Sequence, residues 1–182
     1  MFKIIKKEPL NPSMTRMVIE APFVARKAMP GQFIILRVNE TGERIPLTIA
    51  DYDREAGTVT IIYQKVGKST LLLDEQEAGG YLMDFIGPLG KASELEGYKK
   101  AAVIGGGAGC AIAYPQAKAL HAMGTKVDMI AGFRDKDLII LENEMREASD
   151  RLIVMTDDGS NGNKGFVTAA LQKNIDEGAD YD

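Results

Sequence analysis

The rhythm of apolar and polar residues changes about halfway along the chain. Through residues 2 to 64 the apolar positions come in short β-branched runs, FKIIKK (2–7), TRMVIEA (15–21), GQFIILRV (31–38), RIPLTIAD (44–51) and TVTIIYQ (58–64), each closed off by Pro, Gly, Asn or Asp. Such runs at close, punctuated intervals predict an antiparallel barrel or sandwich. STLLLDEQ (69–76) predicts one short helix, GYLMDFIG (80–87) a closing strand and GPLG (87–90) a turn. After a polar linker, ASELEGYKK (92–100), the pattern alternates: strand 101–105, helix from Gly109 to about Met123, strand 126–133, helix near 137–148, strand 151–156 and helix near 165–174. That alternation predicts a parallel, doubly wound sheet. The expected architecture is a β-barrel domain over 1–97 and an α/β domain over 98–182. Only three strands of the second domain precede IDEGADYD, where a fourth is expected, so it reads as incomplete.

Composition narrows the function classes. Acidic residues outnumber basic ones, 26 to 22, which offers no basic footprint for nucleic acid. No apolar run is long enough to span a bilayer. The start, MFKIIKKEPL, lacks the apolar stretch and small-residue cleavage site of a signal peptide, and Cys110 has no second cysteine to pair with. Both features point to a reducing cytoplasm. One cysteine and one histidine exclude a Cys/His zinc site or a cysteine-held iron–sulfur cluster built from this chain alone, so no metal ligands are expected.

Four segments carry candidate chemistry. In GGGAG (105–109) a Gly-rich turn joins strand to helix, so backbone N–H groups and the positive helix end can face a pyrophosphate. Gly105 and Gly107 fit the first two places of G-x-G-x-x-G, with Gly106 and Ala108 beside them and Cys110 in the third place. MTDDGSNGNKG (155–165) places Asp157, Asp158 and Gly159 after the third strand, as a solvated loop or as a rim that hydrogen-bonds a ribose. ERIPLTIAD (43–51) sets Arg44 beside a proline-stiffened strand ending in Thr48, where a guanidinium could hold phosphate and a hydroxyl meet a ring. YQKVGKST (63–70) offers a second place of that kind, with Gly67 for an unusual turn and Ser69 and Thr70 at a helix start. A bare βα turn, a solvated loop, an exposed arginine and a helix cap are the plain alternatives at these four places.

Taken in order and spacing, GERIPLTIAD, IIYQKVGKST, IGPLGK, IGGGAG with YPQAKAL, GFRDKDLI and TDDGSNGNKG resemble the ferredoxin-NADP reductase family over essentially the whole chain. The resemblance lies closest to its dihydroorotate dehydrogenase electron-transfer branch and to the small FAD subunits of NADH-dependent ferredoxin:NADP oxidoreductase and sulfide dehydrogenase. It implies an N-terminal FAD-binding Greek-key barrel followed by a nicotinamide-nucleotide domain. Ile45, Pro46, Leu47 and Thr48 fall where the family wraps the flavin and its phosphates, with Thr48 nearest the reactive ring nitrogen. Ile62, Tyr63, Gln64, Gly67, Ser69 and Thr70 fall on its second FAD segment. Arg44 stands one place before the motif's arginine, where this chain has Ile45. Gly105 to Gly109 fall on the nicotinamide nucleotide, NADH or NADPH, and Asp157 to Gly159 border it.

The implied role is a flavin electron-transfer subunit that passes hydride from NAD(P)H to FAD, then single electrons to an iron–sulfur centre and a larger catalytic partner. The family's cysteine cluster for a 2Fe–2S centre has no counterpart in this chain. Two rivals remain: a module that binds FAD or nucleotide without turnover and serves as a docking scaffold, and a generic nucleotide-binding protein with an appended barrel. Single residues add little. Cys110 reads as a packing residue, His121 as an exposed residue in a last helical turn, and Pro115 as a helix disturbance. Asp135 and Asp137 beside Arg134 lean the nucleotide choice towards NADH.

Overall fold

Alternation in the first half produces strands whose two faces meet different surroundings. The computed structural model describes residues 1–182 and divides them into two units, Met1–Ser93 and Glu94–Asp182. In the first unit seven strands, β1 (Phe2–Asn11), β2 (Met14–Glu20), β3 (Phe33–Arg37), β4 (Ile45–Asp53), β5 (Thr58–Gln64), β6 (Tyr81–Leu82) and β7 (Asp84–Leu89), form one antiparallel sheet in the order β6-β1-β2-β5-β4-β3-β7. The sheet curls into a nearly closed barrel around Ile4, Met17, Ile19, Ile34, Leu36, Ile49, Val59, Ile61, Tyr63, Leu82 and Phe85.

Three departures from the sequence expectation occur here. PFVARK forms a helix, α1 (Pro22–Lys27), whose proline sits in the first turn and whose Val24 and Ala25 close the barrel core; six residues are too few to display a helical period. The single strand expected over 80–87 is two, because Met83 donates its N–H to Arg37 and Val38 carbonyls while β6 pairs with β1 and β7 with β3. The turn expected at 87–90 is the last part of β7, which runs to Leu89.

The short helix after β5, α2 (Lys68–Asp74), is anchored by its last residue. Asp74 Oδ1 accepts from Thr15 Oγ1 at 2.7 Å and from the Tyr63 hydroxyl at 3.1 Å, Lys65 Nζ lies 3.7 Å from Oδ2, and Lys7 Nζ donates to the Asp74 carbonyl. Burial alone would raise the Asp74 carboxyl, but hydrogen bonds from Thr15 and Tyr63 and the charges of Lys7 and Lys65 outweigh it and hold the group below its ordinary value. Burial, then the neighbouring carboxylate, pushes the Tyr63 phenol well above its usual range.

In the second unit β8 (Lys100–Gly106), β9 (Lys126–Phe133) and β10 (Arg151–Thr156) form a parallel sheet in the order β10-β9-β8, joined by α3 (Cys110–Ala122) and α4 (Glu142–Glu147) and followed by α5 (Val167–Asp176). Helix α3 runs through Pro115 without a break, preceded by a 3₁₀ turn over Gly107–Gly109. Helix α4 is shorter than 137–148: a 3₁₀ turn (Lys136–Leu138) precedes it, Ile139 after that turn is extended, and Leu141, immediately before the helix, stands in the left-handed region at φ 56°. The outer edge of β10 is covered by its own following loop. Thr156 forms a parallel bridge with Lys164, and the Asn161 and Asn163 side-chain amides both donate to the Val154 carbonyl, at 2.9 and 3.2 Å. Asn161 Oδ1 also accepts from Thr156 Oγ1 at 2.7 Å and from the Asn163 N–H.

Two measurements check these anchors. Asn161→Ala removes one of the two amide donors to the Val154 carbonyl and the acceptor of the Thr156 hydroxyl, and lowers stability in urea titration by about 1 kcal/mol. Because the folded Tyr63 phenol ionises above the unfolded one, its contribution is whole below pH about 10 and is lost as pH rises beyond that. Tyr63→Phe therefore flattens the alkaline decline of the unfolding free energy, measured by denaturant titration from pH 8 to 11.

Candidate functional site

Strands β3, β4 and β7 are apolar on both faces, and their register decides which residues serve the core. Ile34, Leu36, Ile45, Leu47, Ile49 and Phe85 turn inward. The opposite face carries Thr48, Phe33 and Leu89 in one cross-strand row, and Pro46, Ile35 and Ile86 in the next. Ile62, which belongs to the outward face of β5, lies one residue beyond the Ile49–Ile61 pair and extends the first row. Thr48 is half-buried and its hydroxyl has no hydrogen-bond partner, while Ile86 is 49% exposed. The same face ends in charge: Asp84 Oδ2 is shared by Arg37 Nε at 2.8 Å and Arg44 Nη2 at 3.0 Å. Two guanidinium groups thus share one carboxylate at this end. Four residues of extended chain separate Arg44 from Thr48, about 13 Å.

The segment after β5 borders that charged end. Ser69 Oγ donates to Glu43 Oε2 at 3.1 Å, which sets the start of α2 beside the residue preceding Arg44. Thr70 shapes the segment itself: its hydroxyl accepts from the Val66 and Gly67 N–H groups, both at 3.1 Å, and donates to the Gly67 carbonyl. A Cβ at Gly67 would meet nothing within 4 Å, so the backbone there is open to approach. The first-turn N–H groups of α2 have no acceptor inside the helix. Arg44 is 56% exposed in its ion pair, and an exposed pair contributes about 0–1 kcal/mol, so a multiply charged anion displaces it readily.

The sequence-predicted barrel residues therefore divide. Thr48, Pro46 and Ile62 present side chains on the outward face, with Arg44 and Ser69 at its polar end. Ile45 and Leu47 pack against the core and offer only their backbone to that face. Tyr63 points into the core with its hydroxyl on Asp74, Gln64 is exposed, and Thr70 is engaged in capping. Phe33, Ile35, Ile86 and Leu89 complete the surface and escaped the sequence reading. Only the strand register, invisible in the continuous run FIIL, shows which of them face outward.

In the second unit the Gly-rich turn also divides. A Cβ at Gly105 would stand 2.9 Å from Cys110 Cα and 3.1 Å from Ala113 Cβ, so this glycine lets α3 lie against β8. Gly106, Gly107 and Gly109 face open space, Gly107 with φ +51°, and Ala108 is exposed; these positions let a ligand reach the backbone at the start of α3. Beyond β10, Asp157 and Asp158 donate their N–H groups to the Phe133 and Arg134 carbonyls, tying the ends of β9 and β10 together. The Asp158 carboxylate accepts from the Ser160 N–H and is held below its ordinary value by hydrogen bonds from Ser160. Gly159, at φ +80°, makes the turn that brings Lys164 back to β10. Asp157 is exposed. Cys110 is fully buried, and His121 lies 3.9 Å from Asp150 at the surface. No group of three His, Cys, Asp or Glu side chains converges as a metal site, and no helix is long and apolar enough to cross a membrane.

No protein-family model matches the chain. It is 43% identical over 171 residues to the dihydroorotate dehydrogenase B (NAD(+)) electron transfer subunit homolog of Thermotoga maritima, covering 94% of this chain and 60% of that protein. It is 35% identical over 182 residues to the dihydroorotate dehydrogenase B (NAD(+)) electron transfer subunit of Streptococcus mutans, covering 97% and 69%. Among solved structures, a chain of the NADH-dependent reduced ferredoxin-NADP oxidoreductase, a structure described for flavin-based electron bifurcation, superposes with a TM-score of 0.90 at 41% identity over 96% of this chain and 63% of that one. The chain thus spans 60% to 69% of the length of these relatives.

Burial pushes the Cys110 thiol up to about 12, against a smaller lowering by the Gly132 backbone. In the folded protein at pH 8 this thiol stays unreactive towards a chromogenic disulfide reagent, and reacts fully once urea unfolds the chain.

Proposed function

The chain belongs to the family of dihydroorotate dehydrogenase electron-transfer subunits, built on the ferredoxin reductase fold, and from that premise we propose that it is a flavin electron-transfer subunit using FAD and a reduced nicotinamide nucleotide. The observation that carries this reading is the outward face of β3, β4 and β7: an apolar row ending in a pair of guanidinium groups suits a ligand with a flat, largely apolar head and an anionic tail. FAD has that character. When bound, it takes hydride from NADH or NADPH and releases electrons singly, chemistry that side chains cannot supply.

The chain's own residues hold and shield. Thr48, Phe33, Leu89 and Ile62 would offer the ring system an apolar surface, and the free Thr48 hydroxyl would supply the hydrogen-bonding group within it. Arg44 and Arg37, with Asp84 fixing their spacing, take the phosphates together with Ser69 and the first-turn N–H groups of α2. In the second unit Gly106, Gly107 and Gly109 admit the nucleotide's pyrophosphate to the start of α3, and Asp157, Asp158 and Gly159 border its ribose. An iron–sulfur centre outside these residues, a 2Fe–2S cluster or a ferredoxin, and a larger catalytic subunit would be the electron acceptors. The setting is the cytoplasm.

The visible spectrum of the purified protein, with FAD added and then NADH under anaerobic conditions, tests the reading. Flavin bands are expected, and NADH bleaches them. Thr48→Val slows bleaching about tenfold or more while FAD retention changes by less than about twofold. A protein that cannot be loaded with FAD sinks the reading, and unchanged reduction kinetics in Thr48→Val remove that hydroxyl from the mechanism.

A further inference from the structure

We propose that Gly90 is a positioning residue of the flavin face: held by Gln32 and lacking a side chain, it leaves Phe33 its place beside Thr48, and any Cβ there would drive the phenyl ring into the space the ligand takes. The inference rests on the reading of the first unit as an FAD domain.

Phe33 lies on β3, the strand between β4 and β7, with Thr48 opposite it on one side and Leu89 on the other. Residues directly opposed on antiparallel strands bring their Cβ atoms to about 4.5–5.5 Å, so the ring and the Thr48 side chain are neighbours. The place of Leu89 in this row depends on an irregularity. Phe33 pairs with Leu89 but Ile35 with Ile86, so three steps along β7 match two along β3. The extra residue makes a β-bulge, which turns Leu89 to the same face as Ile86 and brings Gly90 against the ring.

A Cβ at Gly90 would stand 2.9 Å from Phe33 Cε1 and 3.1 Å from Cδ1, closer than the roughly 3.5–4.0 Å at which carbon atoms pack. The backbone is not free to make room. Gly90 stands at φ +80°, its carbonyl accepts from Gln32 Nε2 at 3.0 Å, and Gln32 Oε1 accepts from the Met29 N–H at 3.0 Å. The Gln32 carbonyl in turn accepts from the Ile49 N–H, also at 3.0 Å. One glutamine, the residue before Phe33, thus ties the end of β7 to β3 and to β4. With the β7 side held, the ring can yield only towards β4 or out over the face, and both places belong to the ligand. Movement towards β4 covers the Thr48 hydroxyl, the one polar group of the row Thr48, Phe33, Leu89 and Ile62.

The test is a double-variant cycle of wild type, Gly90→Ala, Phe33→Val and the two together, with FAD dissociation constants from flavin fluorescence quenching and urea midpoints from circular dichroism. Valine lacks both ring carbons that the new Cβ would meet. Gly90→Ala is expected to weaken FAD about tenfold or more and to shift the visible bands of the bound flavin, which lower stability alone does not do. Phe33→Val weakens FAD several-fold, and the double variant binds within about twofold of Phe33→Val, because the glycine acts through the ring. The urea midpoint, by contrast, falls by the sum of both single changes, since strain at positive φ is felt whether or not the ring is present. Affinity losses that add in full, or wild-type affinity in folded Gly90→Ala, would overturn the role. Should Gly90→Ala fail to fold, Gln32→Ala, which releases the Gly90 carbonyl, takes its place: it weakens FAD several-fold in wild type and not in Phe33→Val, and equal losses in both backgrounds overturn the role. Wild-type protein that binds no FAD overturns the flavin reading itself, and this role with it.

Discussion

Strand register in β3, β4 and β7 is the constraint on which the rest of the first unit depends. Each strand is apolar on both sides, so hydrophobicity alone would tolerate a slip of one residue. Such a slip would turn Thr48, Phe33 and Leu89 into the core and bring Leu47, Ile34 and their neighbours to the surface. Two features fix the register. The Arg37–Asp84–Arg44 cluster pins the charged end, since burying any of its members unpaired would cost several kcal/mol, on the order of a large share of a domain's stability. Ile49, fully buried between β3 and β5, fixes the other end through the hydrogen bond from its N–H to the Gln32 carbonyl. Core and ligand face are thus two sides of one decision.

The second unit meets a different demand, since its site is built of backbone. Glycines serve two ends there. Gly105 and Gly132 have no Cβ because neighbouring helices occupy that space, Cys110 and Ala113 in one case and Val167 in the other. At Gly106, Gly107 and Gly109 a Cβ would meet almost nothing, and the backbone there is left open. Sequence spacing cannot separate these purposes, and one Gly-rich string carries both.

Much of this was legible in the sequence. The change from period two to strand–helix alternation gave the barrel and the parallel sheet, and the motifs gave the family. What escaped did so for identifiable reasons. Helix α1 is shorter than two helical turns. The 80–87 run changes partner strand at Met83 without changing composition. Leu141, a branched aliphatic residue at positive φ, delays the start of an expected helix to Glu142, and no local signal announces that. In the site, Tyr63 lies in a segment read as flavin-binding yet turns inward, because Ile62 and Tyr63 are neighbours on a strand and must face opposite ways. Asp74 carries no signal of its own within the run STLLLDEQ. Only the fold brings Thr15, from 59 residues away, to its carboxylate.

The loop that follows β10 has two employments at once. Its asparagines and Lys164 cover the edge of the sheet, and its opening residues, Asp157 and Asp158, join that edge to the end of β9 beside the nucleotide loop. An engineer who shortened or rewrote this loop would also uncover an apolar strand edge containing half-buried Leu152 and buried Val154. At this corner of the fold, any change to the loop is also a change to how the sheet is kept from sticking to its neighbours.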